Sequence, residues 1–244
     1  MIPVRPQDIL HKSWLLRLLT EIADDSLLAG NIYFKGGTCA AILGYLDRFS
    51  VDLDFDLNPG ADEKALRHKF HKVFDGLELD VDYENKKVLE FALKYPSRPQ
   101  ERNTIKVGVL NLIVTQNRYE PRHLPEIDRV MTCQTAETMF ANKLVAPLDR
   151  FEKYKTIAGR DIYDIHHFFL AGMKYRPEVI EERTKMKTAD YLKKLAGFIT
   201  DRVTETVINQ DLNTLLTTDK FQKIRKVLKT ETLMFIRQEI TSGS

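Results

Sequence analysis

Apolar residues recur every three or four positions from residue 7 to residue 29. Trp14, Leu15, Leu18, Leu19, Ile22, Leu27 and Leu28 form one stripe that stops at Gly30, which predicts a helix. The period then shortens. Residues 31–34 (NIYF) read as a short strand, and 38–46 (TCAAILGYL) as a buried helix opened by Gly36 and Gly37. Residues 50–57 alternate strictly, with Val51, Leu53, Phe55 and Leu57 on one face and Asp52, Asp54 and Asp56 on the other. Asn58-Pro59-Gly60 ends that strand in a turn. A helix over 61–74 follows, then strand patterns near 77–83, 88–95 and 104–114, the last two separated by Pro96 and Pro99. Mixed strands and helices of this kind predict a sheet domain ending near residue 115.

Residues 117–128 carry Pro121 and Pro125 among charges and read as a connection. From Thr135 onward only helical periodicity remains, over 136–151, 161–170, 177–186, 190–209 and 218–240. The expected division is a sheet-based core over 1–128 and a helical C-terminal domain over 129–244 that contributes to the active-site cleft.

Composition narrows the function classes. A chain of 244 residues with 43% hydrophobic and 30% charged residues can bury a full core. No apolar run reaches 18 residues and the N-terminus lacks a signal-peptide pattern, so a cytoplasmic protein without a membrane partner is expected. Two cysteines, Cys39 and Cys133, exclude a disulfide framework and point to packed, reduced thiols. The six histidines show no zinc-protease spacing. The net charge of +2 is unevenly spread: residues 47–84 hold eleven acidic against five basic side chains, while 85–129 and 171–244 are each +4. An acidic centre between basic flanks suits metal ions in the middle and a polyanion at the edges, although solvated faces give the same count.

Three carboxylates at alternate strand positions lie about 7 Å apart at Cα and repel one another unless a cation sits between them. Two of them can hold one or two divalent ions of the kind phosphoryl and nucleotidyl transfer require. A solvated acidic edge strand is the plainer reading of the strand alone. Gly36-Gly37-Thr38 lies fourteen residues before Asp52. A glycine turn lets backbone N–H groups approach a phosphate, and the threonine hydroxyl can reach a triphosphate or cap the helix.

The pattern K-G-G-T-x11-S-x-D-x-D-F resembles the nucleotidyltransferases of the AbiEii/AbiGii toxin group, within the DNA polymerase β-like superfamily. The resemblance implies an α+β fold: an α/β nucleotidyltransferase core with a mixed sheet, then a helical C-terminal half. It also implies that Lys35, Gly36, Gly37 and Thr38 bind the triphosphate and that Asp52 and Asp54 hold Mg²⁺ or Mn²⁺, with Arg48 and Ser50 matching the R-x-S before the pair.

Downstream, ETMFANKLVAPLDRF and GRDIYDI match the group's lysine helix and its R-D-x-x-D segment. Lys143 lies at the centre of an apolar helix face, where a lysine either snorkels or meets an anion. The match favours a phosphate contact, and Pro147 is expected to kink the helix just beyond it. Asp161 and Asp164 share a helix face, with Arg160 four residues before Asp164. They stand as nucleotide-site residues, as positioners of Lys143, or as a structural ion-pair set. Asp161 joins Asp52, Asp54 and Lys143 as a catalytic candidate; Arg160 and Asp164 join the nucleotide-binding set.

One departure stands out. The superfamily usually draws a third carboxylate from a later strand, and residues 105–111 (IKVGVLN) have none. Asp80, Asp82 or Asp56 are the substitutes the sequence offers. The function implied is transfer of an NMP from an NTP to an acceptor, the tRNA 3′ end being favoured, by the toxin of a toxin–antitoxin or phage-defence pair with a cognate antitoxin. Nucleotidylation of a protein or small molecule, and a degenerate nucleotide- or RNA-binding module, are the alternatives.

Overall fold

The aspartate strand lies fourth in a sheet of seven. The computed structural model describes residues 5–98 and 101–242, so Pro99 lies outside the described residues. It divides into two compact units, Met1–Ile113 with Tyr119–Gln134, and Val114–Arg118 with Thr135–Ser244.

The first unit holds strands β1 (Ile32–Lys35), β2 (Asp52–Leu57), β3 (Asp80–Glu84), β4 (Leu89–Lys94), β5 (Thr104–Leu110), β6 (Tyr119–Leu124) and β7 (Arg129–Gln134), in the order β3-β4-β5-β2-β1-β7-β6. The sheet is mixed, as expected: β2 runs antiparallel to β1 and parallel to β5, and β1 runs parallel to β7. Helices α1 (Ile9–Asp24), α2 (Ser26–Asn31), α3 (Gly36–Ile42) and α4 (Glu63–Gly76) complete the unit. Because β2 has a partner on each side, its acidic face belongs to the middle of a sheet, which removes the edge-strand reading.

Alternation in β2 turns Leu53 and Phe55 into the core and leaves Asp52 and Asp54 half-buried on the other face. The apolar side also takes Phe34 from β1, Phe91 and Leu93 from β4, and Val107 and Val109 from β5. Leu15, Leu18, Leu19 and Ile22 of α1 and Leu66, Phe70 and Phe74 of α4 are buried with them. Each such side chain contributes about 1.5–3 kcal/mol by leaving water, so the apolar face anchors β2 in the core. Cys39 and Cys133 are free thiols and both are buried. Burial pushes the Cys39 thiol well above its ordinary range, with the Cys133 thiol beside it adding to the rise.

Two expectations fail locally in this unit. The helix expected over 7–29 is broken at Asp25, whose backbone is extended and whose carboxylate accepts from the N–H groups of Leu27 and Leu28, capping a second helix. The supposed connection at 117–128 is β-structure instead. The β6–β7 hairpin pairs Tyr119 with Gln134 and Pro121 with Thr132. Proline misled because β6 is the outermost strand, where a missing N–H costs no ladder bond.

The second unit is helical, with α5 (Ala136–Tyr154), α6 (Gly159–Leu170), α7 (Pro177–Thr184), α8 (Thr188–Arg202), α9 (Glu205–Leu212), α10 (Thr218–Ile224) and α11 (Leu228–Ser242). The single helix expected over 190–209 is two, since Thr204 leaves the helical conformation and its hydroxyl accepts from Val207 N–H. The one expected over 218–240 is likewise α10 and α11. Helix α5 runs on past Pro147, and one turn earlier the Tyr191 hydroxyl donates to the Leu144 carbonyl (3.0 Å).

The entry into β2 depends on a buried histidine. His11 is 1% exposed; its Nε2 lies 2.9 Å from the Val51 carbonyl and its Nδ1 2.7 Å from the Tyr95 hydroxyl. Burial pushes its pKa down from 6.5 to about 4; the Val51 carbonyl and Asp8 oppose the shift and Arg102 adds to it. The unfolded chain therefore takes up this proton at higher pH than the fold does. Stability present above pH 6.5 is lost as the pH falls toward 4, by at most about 3 kcal/mol. Thermal melts from pH 7 to pH 4 should show a steeper fall in Tm for the wild type than for His11→Gln; parallel curves would refute this.

Candidate active site

Asp54 is seated between two residues that have no side chain. Gly36 follows β1 directly with φ of +78°, and a Cβ there would stand 2.5 Å from Asp54 Oδ2 and 2.9 Å from Asp54 Cβ. On the other side the Cα partner of Asp54 is Gly108 of β5, where a Cβ would stand 3.8 Å from Asp54 Oδ1. The carboxylate thus meets backbone at Gly36 and Gly108, while its Cα partner on β1 is Lys35.

The rest of the glycine turn meets the same strand residue by residue. Lys35 Nζ donates to Asp56 Oδ1 (2.5 Å). A Cβ on Gly37 would stand 2.8 Å from Ser50 Oγ and 3.0 Å from Arg48 Nη2. The Thr38 hydroxyl donates to the Asp52 carbonyl (2.5 Å). Its proton is committed to that backbone oxygen, leaving only acceptor capacity for other partners. The K-G-G-T and R-x-S-x-D-x-D segments thus pack as one body, which gives their spacing a physical reason. Arg48 is buried and its Nη1 also donates to the Phe49 carbonyl.

Asp56 differs from its neighbours. It is 3% exposed and accepts from Lys35 Nζ, from the Tyr119 hydroxyl (2.9 Å) and from Gln134 Nε2 (2.6 Å). It ties β2 to β1, β6 and β7, and with three donors on its two oxygens it serves the sheet. Asp80 and Asp82 fail for another reason. They lie on β3, three strands and about 14 Å from β2, and Asp82 is paired with Lys94. In the place of a third acid on β5 stands Gly108, the register partner of Asp54.

Asp52 and Asp54 remain as neighbouring carboxylates on one face. Hard oxygen donors at this spacing, with Gly36 and Gly108 beside Asp54, fit a hard divalent cation that keeps several positions for water and substrate. No group of three or more potential metal ligands occurs among the described residues, so such an ion would have two protein carboxylates.

In the helical unit the expected residues form two rungs between α5 and α6. Lys143 Nζ lies 2.7 Å from Asp164 Oδ2, with Asp164 fully buried and the lysine side chain 16% exposed. Two helical turns on, Arg150 donates to both oxygens of Asp161, from Nε (2.7 Å) and Nη2 (3.3 Å). Burial works against the Arg150 charge, but the bond and charge of Asp161 outweigh it and hold the guanidinium above its usual range. Arg150 is the arginine that follows the lysine in the helix matched to the group, and its seven-residue separation from Lys143 puts the two on one helix face. Arg160 contributes its backbone N–H, 3.3 Å from Asp211 Oδ2. Gly159 permits close packing here: a Cβ would stand 2.8 Å from the Val207 carbonyl and 2.9 Å from Ile208 Cα.

A glycine turn locked to an aspartate pair in the middle of a mixed sheet is the core of a nucleotidyltransferase. The fold agrees with that of MenT4, a nucleotidyltransferase toxin from Mycobacterium tuberculosis H37Rv, at 16% identity and a TM-score of 0.53 over 97% of this chain and 91% of that one. An antigenic nucleotidyltransferase-like protein from Paracoccidioides brasiliensis overlaps more loosely, at 13% identity and a TM-score of 0.45 over 80% and 93%. No curated protein matches the chain. The family model described as nucleotidyl transferase AbiEii toxin, type IV toxin–antitoxin system, matches residues 17–229. The chain belongs to this AbiEii family of nucleotidyltransferase toxins.

Two substitutions test the packing. Gly36→Ala forces a left-handed backbone and a Cβ into Asp54, and should cost about 2–4 kcal/mol with loss of transferase activity. Asp56→Asn breaks a buried ion pair and should cost about 3–5 kcal/mol in urea unfolding. A variant within 1 kcal/mol of the wild type would show, at either site, that the contact described does not matter.

Proposed function

We propose that this toxin transfers a nucleoside monophosphate from an NTP to the 3′ end of tRNA, releasing pyrophosphate, with Mg²⁺ or Mn²⁺ held by Asp52 and Asp54. The observation that carries the reading is the seating of Asp54 on Gly36. It brings the glycine turn and the aspartate pair into direct contact at a residue that has no side chain. When bound, the cation supplies charge neutralisation to the phosphoryl group being transferred.

The chain's own residues do the remaining tasks. Gly36 and Gly37 present backbone N–H groups to the β- and γ-phosphates, and Lys35, steadied by Asp56, flanks them. Thr38 acts by holding the Asp52 carbonyl, which keeps turn and strand in step. Lys143 gives one N–H to Asp164 and retains two for phosphate oxygens. Asp161 orients Arg150, and Arg160 completes the nucleotide-binding set of the helical unit. The basic segments 85–129 and 171–244 supply the charge for an RNA backbone.

Incubation with each α-labelled NTP and either total tRNA or total protein tests this. Label should reach tRNA, vanish with EDTA, return with Mg²⁺, and fall at least about 10²-fold in Asp54→Ala. Lys143→Ala should raise KM for the NTP roughly tenfold. Label on protein with tRNA untouched would overturn the acceptor. Transfer to neither would overturn the reaction.

A further inference from the structure

On the aspartate face the strand that lacks the third acid presents a cation. Lys106 of β5 is the Cα partner of Asp52. Ile105, Val107 and Val109 turn into the core, so Lys106 projects to the face that carries Asp52 and Asp54. Side chains of register partners on adjacent strands are neighbours, about 5 Å apart at Cβ. Beyond Lys106, its direct partner on β4 is Ala92, with Glu90 diagonal to it opposite Gly108. Four other lysines of this unit are paired with carboxylates, Lys35 with Asp56, Lys12 with Glu126, Lys69 with Asp25 and Lys94 with Asp82. Lys106 is exposed and makes no ion pair among the described residues.

We propose that Lys106 is a substrate-binding residue, its ammonium contacting the phosphate oxygens of the NTP at the aspartate pair. Resting on the metal-pair reading above, this assigns β5 a positive role: it carries charge that matches the triphosphate in place of charge that would match the metal. A lysine suits this position because its flexible stem lets the ammonium follow the phosphates. Before nucleotide arrives, the same charge offsets the repulsion between Asp52 and Asp54, and so it competes with the cation for them.

That double action predicts effects of opposite sign, which a merely solvated lysine would not produce. Mn²⁺ binding, read from the EPR signal of the free ion, and binding of α,β-methylene NTPs by calorimetry, should be compared for the wild type, Lys106→Gln and Lys106→Arg. Lys106→Gln should bind Mn²⁺ about threefold more tightly, for loss of a nearby positive charge. It should bind the nucleotide analogues roughly tenfold more weakly, for loss of a charge-assisted contact. Lys106→Arg should restore both values, and matching thermal melts should confirm that all three fold alike. Unchanged nucleotide affinity, or Mn²⁺ affinity that does not rise, overturns the inference while leaving the aspartate pair in place. A wild type that binds no Mn²⁺, or binds it equally well after Asp54→Ala, overturns the pair itself and the role of Lys106 with it.

Discussion

Asp54 and Gly36 exclude any third group from the space they share. A strand can bring a carboxylate to a sheet surface, and a turn can bring backbone N–H groups to a strand end, but joining them at van der Waals distance requires a residue without Cβ in the left-handed region. The other contacts between turn and strand are arranged around that meeting. Thr38 fixes the Asp52 carbonyl, Ser50 and Arg48 close over Gly37, and Lys35 reaches diagonally to Asp56. Losing one of them removes a single contact, whereas a methyl group at Gly36 would stand 2.5 Å from Asp54 Oδ2.

Charge is handled in the same economical way. Asp56 looks from sequence like a third metal carboxylate, yet it is buried among a lysine, a tyrosine and a glutamine drawn from three other strands. It holds the sheet together at the point where the hairpin of β6 and β7 joins it. In the helical unit, Asp161 and Asp164 each keep a cation in place from the next helix. Asp56, Asp161 and Asp164 thus position cations of the chain, whereas Asp52 and Asp54 together suit an external one.

Much of this was legible in the sequence. The alternation of residues 50–57 placed the aspartates on one face, and the helical periodicities located most of the C-terminal helices. The apolar surroundings of Lys143 marked it as unusual. What could not be read were facts of register. Neither the pairing of Lys35 with Asp56 nor the placing of Gly108 opposite Asp54 has a local signature, since both depend on which strands adjoin. The hairpin at 119–134 was missed because Pro121 and Pro125 signal a loop unless the strand is known to lie at an edge. Asp25 and Thr204 ended helices that hydrophobic spacing alone would continue, because their side chains compete for backbone N–H groups.

The glycine at position 36 also has a consequence at the level of inheritance. Every missense change in its codon introduces a Cβ, and a Cβ at that place collides with Asp54 whatever lies beyond it. The position has no conservative replacement, so every single base change that alters it sets a side chain against Asp54, however well the rest of the chain folds. A gene built around such a contact is easily silenced by mutation and hard to drift by degrees.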